Sequence, residues 1–290
     1  PILTDEVNLV AKFRELTNKE LFYKNGEVLY YSEFDEDSDV SYSTNGGDGL
    51  TGYAQDGNTK ENKPFSEANI VNIANGRLNL VDTDAAVTTY ASIDVTDVYL
   101  DKVTFVCDVI PGKVAGKWSM VTFVDVNGSE FASIRTTSDK KLGMRVAGVE
   151  PTTGVVYTEN QSMKVVVVID LCEGTISATI DGTAIASDAK ISVDNFSGVK
   201  FGTAKDARNL SLDNVGIKKE ECSLDSAKAK VKASVDDIYA KYDFTAYQTN
   251  QENITNAYNQ AKASIDNANS VLEARNALET FKEDLKEYPS

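Results

Sequence analysis

The sequence predicts a mainly β chain, an antiparallel β-sandwich followed by a C-terminal three-helix bundle. From about residue 28 to 218, short β-branched and aromatic runs are broken repeatedly by Gly, Asn and Asp. After Glu220-Glu221-Cys222 glycine disappears and apolar residues recur at helical spacing. At 290 residues the chain is also long enough for about two domains. These observations divide it into an N-terminal helical segment (1–22), a sandwich (23–220) and a bundle (221–290).

The N-terminal stretch has a helical apolar stripe, Val7, Val10, Phe13 and Leu16. A lone helix needs a partner for such a stripe, so this one is expected to pack on the sandwich or the bundle. Val121–Val126 and Phe131–Arg135 flank Asn127-Gly128, a pair suited to a tight type I′ turn. Val165–Leu171, Thr175–Ile180 and the turns at Glu173-Gly174 and Asp181-Gly182 make an antiparallel meander. Val165–Ile169 is apolar on both faces and belongs in the middle of a sheet. Many short strands without intervening helices indicate two packed sheets.

In the bundle, Val231, Val235 and Ile238 form one stripe, and Ile254, Ala257, Ala261 and Ile265 a second. Leu272, Ala277, Leu278, Phe281 and Leu285 form a third. Ser223, Thr249 and Ser270 are the expected starts of three antiparallel helices, each of about 17 residues. The tyrosines Tyr239, Tyr242, Tyr247 and Tyr258 are read as packing.

Composition excludes several functions. Lys and Arg number 29 against 45 Asp and Glu, a net charge of -16, so the average field repels nucleic acid and acidic membranes. No run approaches the ~20 apolar residues that span a bilayer. Histidine is absent, which removes the Ser-His-Asp triad, the Cys-His dyad and His-rich zinc sites. Cys107 shares a face with Val103, Phe105 and Val109 and reads as a buried free thiol. For Cys172 and Cys222, a bridge and two separate thiols are both open. Pro1 and the Tyr288-Pro289-Ser290 ending suggest a piece of a longer polypeptide.

Three segments of the β half carry a resemblance: Leu29-Tyr30-Tyr31-Ser32-Glu33-Phe34-Asp35, Trp118 through Gly128, and Leu210 through Ile217. Together they resemble a concanavalin A-like (laminin-G-like) jelly-roll carbohydrate-binding module. Ala261 through Leu285 is similar to the three-helix FIVAR-type modules of large bacterial surface proteins. The resemblance implies a jelly-roll sandwich, an extracellular or cell-surface setting, and neighbouring modules in the same chain. It implies a non-catalytic, glycan-binding or adhesive role, with polysaccharide or glycoconjugate as partner. It further implies a calcium ion clamping the first and last strands, for which Glu33, Asp35 and Asp213 supply oxygen donors. Plain solvation of these acids is the other open reading.

Catalytic and metal motifs fail when checked. Glu33-x-Asp35 begins the E-x-D-x-x-E pattern of laminarinase-type glycosidases, but its last position is Ser38. The Asp35-x-Asp37-x-Asp39 run lacks the Gly and Glu of an EF-hand loop, carrying Val40 and Gly46 there. Gly112 to Lys117 is no phosphate loop, since its glycines are too close and Trp118 follows. A Tyr-Arg site leaves no sequence signature, so a polysaccharide lyase or glycoside hydrolase stands as an alternative. A structural or protein-interaction spacer is another.

Strand alternation places the expected ligand face. With Val121 and Phe123 inward, Trp118, Met120 and Thr122 point outward. Phe131, Ser133 and Arg135 follow across the turn, then Arg145 and Tyr90. Aromatic rings stack on sugars and guanidinium groups bind hydroxyls or carboxylates. A one-residue slip would reverse the assignment and bury Trp118, and the arginines could pair with this chain's own carboxylates. The long polar loop Glu36–Glu67, with Tyr42 and Tyr53, is a second candidate binding element. The expected ligand set is therefore Trp118, Arg135, Arg145, Tyr90 and Tyr53.

Overall fold

The computed structural model describes residues 18–24, 26–34, 50–56, 59–61, 69–82, 87–95, 100–112, 117–137, 139–193, 195–203, 209–242, 244 and 250–288. Helix α1 (Asn18–Tyr23) is followed by β1 (Glu27–Ser32), β2 (Leu50–Asp56), β3 (Thr59–Glu61), β4 (Asn69–Ile73), β5 (Leu78–Asp82) and β6 (Val87–Asp94). The next strands are β7 (Lys102–Pro111), β8 (Trp118–Val124), β9 (Glu130–Thr136), β10 (Lys141–Val146) and β11 (Val155–Val156). They continue as β12 (Met163–Asp170), β13 (Thr175–Ile180), β14 (Thr183–Lys190), β15 (Gly198–Gly202) and β16 (Asn209–Glu220). Helices α2 (Leu224–Tyr239), α3 (Gln251–Asn267) and α4 (Val271–Asp284) close the chain.

The strands form two eight-stranded antiparallel sheets, as expected of a jelly-roll sandwich. The first runs β14-β13-β12-β7-β16-β5-β4, with β1 also on β16; the second runs β11-β10-β9-β8-β15-β6-β2-β3. In the twelve-residue β16, Asn209–Leu212 pair with β5 and Val215–Lys219 with β1. A bulge divides the two halves: between the Asp213–Asp108 and Gly216–Val106 pairs, β16 spends one residue more than β7. Asn214 takes the left-handed conformation there (φ 49°), which Asn tolerates better than most residues.

Alternation fills the space between the sheets. Val103, Phe105, Cys107 and Val109 of β7 are buried, and so are Val165, Val167 and Ile169 of the central β12. Phe105 meets Phe123 and Phe201 of the opposite sheet at 5.3 and 6.2 Å between ring centres. Burial pushes the Cys107 thiol well above its ordinary range, with the Asp108 charge adding to it.

Several sequence expectations are corrected in detail. Leu50–Asp56 and Thr59–Glu61, expected in a loop, are strands; β2 pairs along β6 from Leu50 opposite Ile93 to Asp56 opposite Val87. Asn127-Gly128 does not form a type I′ turn: of the two only Gly128 has positive φ, and the Asp125 carboxylate accepts the Asn127 and Ser129 N–H groups across a longer loop. Asp181-Gly182 has positive φ at both residues, as a tight hairpin requires. Val7, Val10, Phe13, Leu16 and Tyr42 lie outside the described residues. Helix α1 packs on β1 and β16.

The first and third helices of the bundle start at Ser223 and Ser270, whose side chains accept the Ser226 and Glu273 N–H groups; the middle helix starts from Asn250, one residue past Thr249, without a side-chain cap bond. Val235, Ile254, Ile265 and Phe281 meet in its core. Leu272, expected inward, is exposed, because Val271 and Ala274 set the phase of the buried stripe.

At the domain junction Cys172, in the turn after β12, is disulfide-bonded to Cys222, with a Cα–Cα distance of 6.4 Å. Arg275 of α4 pairs with Asp101, and Lys230 of α2 donates to the Leu171 carbonyl at 3.0 Å. The helical module is thus anchored to one end of the sandwich.

Candidate binding site

The outward face of the second sheet carries most of the expected ligand residues, with one exception. Trp118 is buried (4 % exposed), and its indole N–H donates to the Gly202 carbonyl at 2.7 Å. Strict alternation fails because β8 is bulged: Ser119 pairs with Arg135 and Val121 with Ile134, which leaves Met120 as an extra residue. Trp118 and Met120 therefore join Val121 and Phe123 in the core. A second bulge between Phe123 and Val124 leaves Phe131 unpaired, and Phe131 turns inward against Phe123 with 6.5 Å between ring centres.

Arg135, Arg145 and Tyr90 keep their outward positions. Arg135 lies opposite Ser119 and Gly143, and Arg145 opposite Ser133. Tyr90 lies opposite Gly202 and beside Tyr53, and its ring covers Gly202. Tyr53 is placed by its backbone; its side chain is outside the described residues. Arg135 and Tyr90 sit three strand spacings apart, roughly 14 Å across the sheet. Between them lie Ser119 and Thr122 of β8 and, opposite Thr122, Lys200 of β15; Ser133, beside Arg135 on β9, is buried.

The arginines are held by acids that alternation alone does not find. Arg135 donates to Glu150 at 2.7 Å and Arg145 to Glu130 at 2.9 Å. Glu130 also accepts from Ser133 (2.8 Å), which in turn lies 3.1 Å from Ser119. Glu150 reaches this face because Ala147 and Gly148 both adopt positive φ and reverse the chain, after which Pro151 passes directly over Gly143. A side chain at 143 would collide with it, the built Cβ lying 2.6 Å from the Pro151 ring. The Ala147-Gly148 pair is the sequence signal for this reversal. The guanidinium groups are bound but not saturated: Nε of both Arg135 and Arg145 is shielded from water and makes no hydrogen bond among the described residues.

On the first sheet, the expected calcium donors Glu33 and Asp213 lie near Tyr31. The Tyr31 hydroxyl donates to Glu33 at 3.1 Å. Burial first, then the charges of Glu33, Asp213 and Asp108, push its pKa upward and keep the phenol protonated. Asp35 lies outside the described residues. Among those described, Asp101, Cys172 and Cys222 form the one group of three ligand atoms close enough for an ion, and its two sulfurs are already bonded to each other.

No family model matches the chain, and no curated protein matches it. Solved structures match as distant neighbours. A sialidase is 14% identical over 67% of this chain and 19% of its own, with a TM-score of 0.44. The cellulose-induced protein Cip1 is 12% identical over 54% of this chain and 86% of its own (TM-score 0.41). The alginate lyase AlgAT5 from polysaccharide lyase family 7 is 14% identical over 55% of this chain and 85% of its own (TM-score 0.40). The chain thus spans about a fifth of the sialidase and most of the other two. What those proteins bind or cleave is theirs; the functional reading of this chain rests on its own side chains.

Proposed function

We propose that this chain is a non-catalytic glycan-binding or adhesion segment of a multimodular extracellular bacterial protein, with its helical module as a rigid, FIVAR-like spacer. The observation that carries the reading is the outward face of the second sheet. Arg135 and Arg145 lie there beside the Ser119 and Thr122 hydroxyls and Lys200, in a strip that ends at Tyr90. Such a face offers a guanidinium for a sugar carboxylate or hydroxyl, short donors and acceptors for a flat chain, and a ring for stacking. The Cys172–Cys222 bridge supports an oxidising, extracellular setting. No helix among the described residues is long and apolar enough to cross a membrane.

Isothermal titration with carboxylated oligosaccharides tests the role. Binding that falls at least about tenfold in Arg135→Ala supports it, since that loss is ~1.4 kcal/mol. No binding to any acidic or neutral glycan sinks it. Calcium at Glu33, Asp35 and Asp213 belongs to the same proposal. It predicts a higher melting temperature with calcium than with a chelator, and no such difference in Asp213→Asn.

A further inference from the structure

The opposite face of the sandwich holds a second cleft, of about 340 Å³, between α1 and the first sheet. We infer that this cleft is a separate binding site for a neutral pyranose unit, distinct in ligand chemistry from the arginine face. Its floor is apolar: Val106 and Val166 are paired neighbours that point away from the core. Gly216 continues the same row, opposite Val106 on one side and Tyr31 on the other. A side chain at 216 would strike both Phe22 (2.8 Å) and Tyr31 (2.9 Å), so glycine lets the two rings close the end of the cleft. Those rings lie 5.3 Å apart. From Val166 to Gly216 spans two strand spacings, roughly 10 Å, the scale of one sugar ring with its substituents.

The next row along the strands supplies polar groups. Lys164 of β12 faces Asp108 of β7, a pairing that would ordinarily give a salt bridge. Instead the Asp108 carboxylate accepts from the Asn214 amide at 2.7 Å, and Lys164 makes no ion pair among the described residues. Asn214 is placed for this by the β16 bulge and its left-handed backbone, a device that re-aims a side chain at local cost. Asp108 and Asp213 lie directly opposite each other, and Asn214 serves both, its side-chain amide on Asp108 and its backbone N–H on Asp213 at 2.7 Å.

Apolar floor, aromatic end wall, and a carboxylate–amide pair with a free ammonium on one side are what a pyranose requires: a surface for its C–H face and donors and acceptors for its hydroxyls. The sign of the field selects a neutral sugar. The Asp108 carboxylate lines the cleft, so a uronate placed on the same row would meet a like charge. Lys218, the other cation of the cleft, is already paired with Glu220 at 3.1 Å.

The test is isothermal titration of the full chain with cellohexaose, mannohexaose, chitohexaose and a hexagalacturonate, at low and high salt. At least one neutral hexamer is expected to bind with little salt dependence. Its affinity should fall about tenfold or more in Tyr31→Ala and in Asp108→Asn, and stay unchanged in Arg135→Ala. Lys164→Ala alters an exposed side chain only, so it should keep the native melting temperature and still weaken the neutral sugar several-fold. Failure of every neutral hexamer to bind overturns the inference. So does neutral binding that survives Asp108→Asn and Lys164→Ala, or that is lost in Arg135→Ala. Loss of hexagalacturonate binding in Arg135→Ala reports on the other face and is independent of these outcomes.

Discussion

Arg275 in the last helix pairs with Asp101, the residue just before β7, joining positions 174 residues apart beside the Cys172–Cys222 disulfide. Asp101 also accepts the Cys222 backbone N–H at 3.3 Å, and its own carbonyl receives the Leu171 N–H at 2.8 Å. One buried acid therefore joins the turn after β12, the segment after β16 and the bundle. The disulfide closes a loop of 50 residues across this junction. Its removal in Cys172→Ala/Cys222→Ala is expected to cost about 2–4 kcal/mol by relaxing the unfolded chain. Urea unfolding of the double variant, compared with the oxidised and reduced parent, checks this. A change below ~1 kcal/mol would show that the junction holds without the bond.

The buried indole gives a spectroscopic prediction. Trp118 is the sole tryptophan, so its emission reports on that position alone. With 4 % exposure and its N–H on the Gly202 carbonyl, it is expected to emit at short wavelength and to resist acrylamide. Trp118→Phe removes the donor and leaves that carbonyl unmet, at about 1–3 kcal/mol. Glycan affinity should be untouched, because the ring faces the core. Emission at the wavelength of free tryptophan would return the residue to the surface.

The fate of Trp118 shows what the sequence could and could not reveal. Periodicity distinguishes a β half from a helical half because it sums over many residues, and both halves, the meander and the helix caps at Ser223 and Ser270 follow from it. Which way one side chain points depends on every residue before it in the strand. A single bulge at Met120 therefore reversed Trp118 while leaving Arg135, Arg145 and Tyr90 in their expected phase. A bulge is a property of the pairing of two strands, so neither strand signals one by itself. The cleft under α1 was hidden for the same reason. Alternation turns Val106 and Asp108 outward, but the partner that completes the site, Asn214, is aimed by a bulge over a hundred residues away.

The arginine face predicts opposite effects from two neighbours. Arg135→Ala removes a guanidinium from the strip and should weaken a carboxylated oligosaccharide. Glu150→Gln removes the internal carboxylate that occupies Arg135 at 2.7 Å and lies 3.7 Å from Arg145 Nε. If ligand and Glu150 compete for these donors, Glu150→Gln should raise affinity a few-fold. Stability should change by less than ~1 kcal/mol, since Glu150 is half exposed. Titration of the two variants side by side is the measurement, and loss of affinity in both would mean that Glu150 itself binds the sugar.

The bundle predicts a pH dependence of its own. Asp236 accepts from Tyr258 Oη at 2.6 Å and Lys262 Nζ at 2.8 Å, while Tyr258 stacks on Tyr239 with 4.1 Å between ring centres. Those two donors, Lys262 first, hold the Asp236 carboxyl below its usual range, and the same contacts raise Lys262. A depressed carboxyl contributes stability above its unfolded value, about 3.9, and the contribution disappears as pH falls through the folded value. A raised ammonium contributes below its unfolded value, about 10.4, and loses the contribution as pH rises further. Asp266, lowered mainly by its contact with Lys232, behaves like Asp236. The melting temperature of the bundle transition should therefore drop below about pH 4 and again above about pH 10.4. Asp236→Asn should flatten the acid limb in part, with Asp266 sustaining the remainder, and should also blunt the alkaline limb by removing the partner that raises Lys262. Acid limbs that run parallel in the parent and in Asp236→Asn would show that this network adds nothing to the stability of the folded helices.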